Sequence, residues 1–266
     1  MSAPFGRRRL TIGGARRVGA YVVLAAPDPG GPAPEPGQFY MLAAAERWGG
    51  GEDERPFLPR AFSVLRATGT DPPTLEFMLE DVGPGTRRLG ELVPGDGLWV
   101  TGPLGQGFTA PGEGRRALLC GGGVGTAPLA IWQDALLASG REAPALLGFR
   151  DGEHAEGAGL LRDARVATDD GSTGHHGPVT DLLVAELDAG TPAIVYACGP
   201  PGMLEAVRAL CEARAVPAQL ALESGMACGF GACFGCVVPT RDGSYVRLCV
   251  DGPVLDAELL AGVPAH

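Results

Sequence analysis

The chain is expected to be a β plus α/β protein in three parts. These are an N-terminal antiparallel β-barrel over residues 1–111, a parallel-sheet α/β unit over 112–222 and a small C-terminal unit over 223–266. Three observations predict this. Short stretches with apolar alternation, separated by Gly- and Pro-rich turns, fill the first part. Apolar strands alternating with helical stretches fill the second. Four cysteines in the order C-x4-C-x2-C and then one more mark the third.

In the first part, strands are predicted over Arg17–Leu24, Gly37–Leu42, Arg60–Leu65, Thr74–Leu79 and Gly97–Thr101. The Pro/Gly-rich run from Pro27 to Pro36 is a turn, and Arg47 to Pro59 is a Gly-rich, charged insertion expected on the surface. On a strand Arg60 and Phe62 share a face. That face can hold a phosphate at one position and a flat ring at the other, while Ser63 reaches a ring nitrogen.

In the second part, Arg116–Cys120 is a buried strand running into Gly121-Gly122-Gly123-Val124-Gly125. A helix follows from Thr126 to Ser139, with Pro128 tolerated in its first turn. Such a junction turns free N–H groups and the positive end of a helix dipole toward an anion. Further strands are predicted at Leu146–Phe149, Ala164–Thr168, Ala193–Cys198 and Gln219–Leu222. Helices are predicted up to Glu186, capped by Thr180 or Asp181, and from Met203 to Arg214. A second tight turn, Cys198-Gly199-Pro200, follows a strand in the same way. Ligands of open α/β sheets lie beyond the C-terminal strand ends, so Gly122, Gly123, Gly125, Thr126, Cys198, Gly199 and Pro200 are candidate dinucleotide contacts. Cys198 reads equally as a small buried hydrophobe.

In the third part, Cys228, Cys233 and Cys236 are followed after twelve residues by Cys249. The spacing of the first three cysteines matches the plant-type pattern for a [2Fe–2S] cluster. Gly229, Gly231 and Gly235 let backbone N–H groups turn toward sulfur where side chains would collide. Zinc and disulfides are the competing readings. Zinc prefers two C-x2-C hooks and only one is present.

Composition limits the function classes. The formal net charge of −10 disfavours a nucleic-acid partner, which needs a basic footprint. All 21 basic residues are arginine, and the cluster Arg7, Arg8, Arg9, Arg16 and Arg17 reads as a solvated terminal strand. No apolar run is long enough to span a bilayer and no secretory signal is present, so the expected location is cytoplasmic, with no membrane partner. Seven cysteines in a reducing compartment argue against a disulfide framework.

The order of these stretches resembles the electron-transfer subunit of the NAD-dependent, two-subunit dihydroorotate dehydrogenase, within the ferredoxin–NADP reductase superfamily. The resemblance runs through Pro36-Gly37-Gln38-Phe39, Arg60-Ala61-Phe62-Ser63, Gly85-Thr86, Gly121 to Pro128, Thr168 to Ser172 and Cys198-Gly199-Pro200. It is most specific at Glu223 to Cys236 and Leu248 to Val254. It implies a flavin-binding barrel, an NAD-binding α/β domain and an iron–sulfur domain. It implies that Arg60, Ala61, Phe62 and Ser63 bind FAD, that Gly85 and Thr86 lie at its phosphates, and that Met78, Leu79 and Glu80 touch the same nucleotide. It implies that Cys228, Cys233, Cys236 and Cys249 hold the [2Fe–2S] cluster. It further implies an FMN-bearing catalytic partner, two copies of each subunit, and electron flow from NADH through FAD and the cluster. Two positions depart from the pattern, which has proline at Ala61 and a basic residue at Glu80.

No general base is required, since the cofactors carry the chemistry. His154, His175, His176 and His266 are therefore expected on the surface. Arg150, after the second strand of the α/β part, suits a 2′-phosphate, while Asp151 and Glu153 beside it oppose one; NADH is the expected donor. Related readings are the electron-input subunit of a sulfhydrogenase and a ferredoxin-dependent NADPH oxidoreductase. A reading from another class is a non-enzymatic zinc-stabilised or redox-sensing nucleotide module.

Overall fold

The computed structural model describes residues 6–49, 55–69 and 72–264. Part of the Arg47–Pro59 insertion, and His266, lie outside these residues.

The first strands are β1 (Arg8–Thr11), β2 (Gly14–Val18), β3 (Tyr21–Pro27), β4 (Phe39–Ala44) and β5 (Arg60–Ser63). They are followed by β6 (Arg66–Thr68), β7 (Thr74–Glu80), helix α1 (Pro84–Gly90) and β8 (Gly97–Leu104). Two antiparallel four-stranded sheets result, in the orders β1-β8-β4-β5 and β2-β3-β7-β6. The strand pairings of the described residues leave them as two sheets rather than one closed ring. They face each other across Leu24, Tyr40, Leu42, Leu75, Phe77 and Val100, all essentially inaccessible. Burial of these inward residues, at about 1.5–3 kcal/mol for each large side chain, drives the alternation that made the strands legible.

The strand expected over Arg17–Leu24 is two strands. The chain reverses after Val18, where Gly19 takes φ +53. That left-handed geometry suits a hairpin turn and costs a side-chain-bearing residue more. Of the N-terminal arginines, Arg7, Arg9, Arg16 and Arg17 are exposed as expected and Arg8 is not. Arg8 is drawn inward, donating from Nε to the buried Asp28 at 2.7 Å and from Nη1 to the Gly102 carbonyl at 2.7 Å.

The second region contains β9 (Arg116–Gly122), a 3-10 turn at Gly123–Gly125, α2 (Thr126–Ala138), β10 (Ala145–Phe149) and α3 (Gly152–Ala155). It continues with β11 (Ala164–Thr168), β12 (His175–His176), α4 (Val179–Asp188), β13 (Ala193–Cys198), α5 (Pro201–Ala213) and β14 (Ala218–Ala221). The last strands are β15 (Val237–Pro239), β16 (Tyr245–Arg247) and β17 (Val254–Asp256). One sheet runs β12-β11-β10-β9-β13-β14-β17, parallel except for β17. α4 starts at Val179 after Pro178, with no side-chain cap, so the expected cap by Thr180 or Asp181 is not made. Asp181 instead sits in the first turn, where a carboxylate favours the helix dipole. α5 opens on Pro201, whose missing N–H is not needed there.

Apolar clusters cover both faces of this sheet. One joins Tyr21, Val23 and Met78 of the barrel to α2 and to β9, β10 and β13. The other joins Phe39, Met41 and Leu104 of the barrel to α4, α5 and the cysteine-bearing segment, including Cys236, Leu248 and Cys249. The barrel also ties to α2 through Arg66, whose Nε lies 2.9 Å from Asp134. The C-terminal segment is stitched back into the large sheet by β17, in register with Leu220 opposite Leu255.

Candidate functional site

Two cavities lie where the barrel meets the parallel sheet, and the cysteine segment borders the first. The first encloses about 570 Å³. Its barrel wall is Arg60, Ala61, Phe62 and Ser63 with Met78, Glu80 and Thr86. Val124 and Ala127 approach from the start of α2, and Leu222 to Ala227 form the opposite wall. Mixed apolar walls with a few polar groups suit a flat, charged cofactor.

Local geometry explains these placements. Thr86 Oγ1 accepts from the N–H groups of Val82 and Gly83 at 2.9 and 3.0 Å, fixing the start of α1. Gly85 leaves room for Arg60: a Cβ there would stand 2.6 Å from Arg60 Nε. The guanidinium therefore lies across the beginning of the helix, also bonded to the Leu58 carbonyl at 2.6 Å. Ser224 Oγ is buried on the far wall with no hydrogen-bond partner, a polar atom suited to a ligand. Leu79 and Gly85 are buried beside the cavity and do not line it.

The second cavity, about 450 Å³, sits over the C-terminal ends of β9, β10, β11 and β13. Gly122, Gly123 and Pro200 line it, with Tyr21, Gly148, Arg150, His154, Asp169 and Met203. Gly122 must lack a side chain, because a Cβ would meet Met203 Sδ and Pro200 Cδ at 2.8 Å. Gly125 lies against the carbonyl of Cys198, where a Cβ would sit 2.3 Å from the oxygen. Gly125, Thr126, Cys198 and Gly199 thus shape the junction from behind and line neither cavity. Cys198 is fully buried, and that burial pushes its thiol pKa up.

Glu80 borders both cavities. It pairs with Arg150 and stands 3.3 Å from His154 Nε2. The expectation of four surface histidines therefore fails at His154, which is buried between Glu80 and Asp151 and meets the Tyr21 ring edge-on at 5.6 Å. His175 and His176 are exposed. Tyr21, His154 and Ser224 are site residues that composition and periodicity do not single out.

The cysteines form two pairs. Cys228, half-buried, and Cys233, exposed, are neighbours on the outer side. The buried Cys236 and Cys249 sulfurs are in hydrogen-bonding contact at 3.2 Å. Backbone N–H groups converge on the sulfurs, from Gly231 to Cys249 at 3.1 Å and from Gly235 to Cys233 at 3.5 Å. Gly231 reaches its place with φ +85, and a Cβ there would strike Val250 at 2.7 Å. Partial burial works against ionisation of Cys228, but N–H groups of Phe230, Cys233 and Ala232 and the Cys233 thiol overcome it, bringing Cys228 down to about 6. Burial and the Cys236 thiol push Cys249 up to about 12. Two thiol pairs under converging N–H donors suit a two-iron cluster, in which each iron takes two thiolates.

Residues 223–261 match the model of the iron–sulfur cluster binding domain of dihydroorotate dehydrogenase B. Over 238 residues the chain is 38% identical to the electron transfer subunit of dihydroorotate dehydrogenase B (NAD+) from Caldanaerobacter subterraneus subsp. tengcongensis, covering 86% of this chain and 87% of that one. The chain belongs to the family of dihydroorotate dehydrogenase B electron transfer subunits. The probable family member from Methanopyrus kandleri is 37% identical, covering 86% of this chain and 81% of that one. Among solved structures, the NADH-dependent reduced ferredoxin-NADP oxidoreductase superposes with TM-score 0.80 at 25% identity, over 97% of this chain and 91% of that chain. A ferredoxin NADP+ reductase from Neisseria gonorrhoeae shares the fold, with TM-score 0.62 at 19% identity over 77% of this chain and 91% of that chain. The two sheets followed by a parallel sheet are thus the reductase architecture. No helix among the described residues is long and apolar enough to cross a membrane.

Proposed function

We propose that this electron transfer subunit passes electrons between NADH and the catalytic subunit of dihydroorotate dehydrogenase through FAD and a [2Fe–2S] cluster. One observation carries the reading: the far wall of the first cavity, Leu222 to Ala227, runs directly into Cys228. A cofactor in that cavity is therefore bordered by the backbone that begins the cysteine loop. When bound, FAD supplies exchange between a two-electron donor and one-electron carriers, and the cluster supplies one-electron conduction.

The residues have separate tasks. Arg60 offers a guanidinium to FAD phosphate, with Thr86 holding the start of α1 behind it. Phe62 and Ala61 provide apolar surface, and Ser63 a hydroxyl. Met78 and Glu80 close the side toward the second cavity, while Leu79 and Gly85 support that wall from the core. Gly122, Gly123 and Pro200 admit the backbone of NADH closely, and Gly125, Thr126, Cys198 and Gly199 shape the turn beneath. Cys228, Cys233, Cys236 and Cys249 hold the irons. The partner carries FMN, and the assembly holds two of each subunit. Exposed Phe230 and Phe234 beside the outer cysteine pair suit docking to it. Seven cysteines outside any disulfide fit a cytoplasmic setting.

The test uses the purified complex. Cys233→Ser should abolish broad cluster absorption while FAD stays bound and NADH still bleaches it, and electron delivery to the partner should stop. A colourless native protein with stoichiometric zinc, or loss of flavin bleaching in a variant that retains FAD, overturns the assignment.

A further inference from the structure

Apart from Glu80 closing one side of the first cavity, the charged cluster where the two cavities meet has no task in the relay just described. Glu80 is the one described residue that lines both cavities. It stands at the end of β7, on the barrel. Arg150 stands just beyond β10, on the parallel sheet, and its guanidinium bonds Glu80 and the His154 ring. His154 Nδ1 lies 2.6 Å from Asp151 Oδ1, and Arg150 Nε lies 3.8 Å from the Asp151 carboxylate. Arg150 is therefore held between carboxylates contributed by two different sheets.

Its place in the fold gives this a consequence. In open α/β sheets the residues after the strand that follows the glycine turn and its helix meet the adenine-side ribose. A carboxylate there accepts from a 2′-hydroxyl, and an arginine accommodates a 2′-phosphate. Arg150 is the one arginine lining the second cavity, and Glu80 and Asp169 line it too. Its positive charge is already matched by Glu80 and Asp151, leaving no free arginine among the described lining residues for a third phosphate. The side chain is 61% exposed, so it can swing into the cavity once released.

We infer that Glu80 is a specificity-determining residue: by holding Arg150 from the barrel side, it withholds that arginine from a 2′-phosphate and makes the second cavity select NADH over NADPH. The inference rests on the second cavity being the dinucleotide site. The departure at position 80, an acid where the family pattern has a base, thereby acquires a role outside flavin binding.

The experiment measures dissociation constants of NAD+ and NADP+ by calorimetry on the FAD-loaded protein, with FAD content reporting the fold of each variant. Glu80→Gln should tighten NADP+ about tenfold, the worth of one freed charge-assisted contact, while NAD+ changes less than about threefold. Adding Arg150→Gln to Glu80→Gln should erase the gain. Arg150→Gln alone should leave the NADP+/NAD+ affinity ratio at its native value. An unchanged ratio in Glu80→Gln overturns the inference, as does a gain that survives Arg150→Gln. So does a tenfold loss of NADP+ affinity in Arg150→Gln alone. Failure of the native protein to bind NAD+ is a different result, and rejects the second cavity as the dinucleotide site.

Discussion

Gly125→Ala isolates a single steric contact. Gly125 has φ −62 and ψ −10, a conformation that alanine adopts freely. The backbone therefore gives no reason for glycine. Space does: a Cβ would lie 2.3 Å from the Cys198 oxygen, 2.4 Å from its carbonyl carbon and 2.6 Å from Gly199 N. These atoms are backbone at the end of β13, where Cys198 is in register with Gly121 of β9. The shortfall from ordinary van der Waals separation is roughly 1 Å, and no side chain can yield to relieve it. Overpacking of this kind costs up to about 3 kcal/mol. The lower chain entropy of alanine when unfolded returns about 0.5 kcal/mol. The net loss of about 2.5 kcal/mol corresponds to a fall in Tm of about 5–10 °C. Because relief must move the turn away from β13, NAD+ affinity should fall about tenfold as well. The assay is thermal unfolding at matched FAD content, with Gly159→Ala as control, since nothing lies within 4 Å of a Cβ there. A Tm within about 2 °C of native for Gly125→Ala, together with native NAD+ affinity, would refute the close approach of the two turns.

Two further outcomes follow from the barrel and the C-terminal hairpin. Asp28→Ala should lower stability by about 3 kcal/mol, because it strands Arg8 beside the Gly102 carbonyl without its buried carboxylate; a urea midpoint equal to native would show the pair to be inert. Asp242 accepts from Thr240 Oγ1 at 2.5 Å and from the N–H and Oγ of Ser244, which hold its pKa down at about 2. A depressed carboxylate pKa stabilises the fold above its ordinary value and loses that contribution as pH falls toward the folded value. The destabilisation caused by Asp242→Asn should therefore be full at neutral pH and shrink between about pH 4 and pH 2, read from denaturation midpoints of both proteins; a pH-independent difference would remove Asp242 as its source.

Much of the fold could be read along the chain because its causes are local. Alternation over Thr74–Leu79 and a continuous apolar run over Ala193–Cys198 mark strands that burial enforces within a few residues. Turn chemistry is less complete a guide. Gly19 breaks an apparently continuous strand, and helix α1, which opens at Pro84, is not among the expected elements. The strands β1 and β6 and the strands of the cysteine segment are only three or four residues long, too short to show a period.

The cysteine spacing and the glycines between strand and helix were determined by the sequence alone, because both depend on residues a few positions apart. Tertiary structure decided which groups face one another across long separations. Glu80 and Arg150 are 70 residues apart and meet only because the barrel packs against the parallel sheet. That same packing buries His154, leaves Tyr21 Oη unpartnered beside the second cavity, and sets Ala227 in the wall of the first. No local pattern encodes these meetings. They follow from shape complementarity between surfaces whose residues are each unremarkable in their own segment.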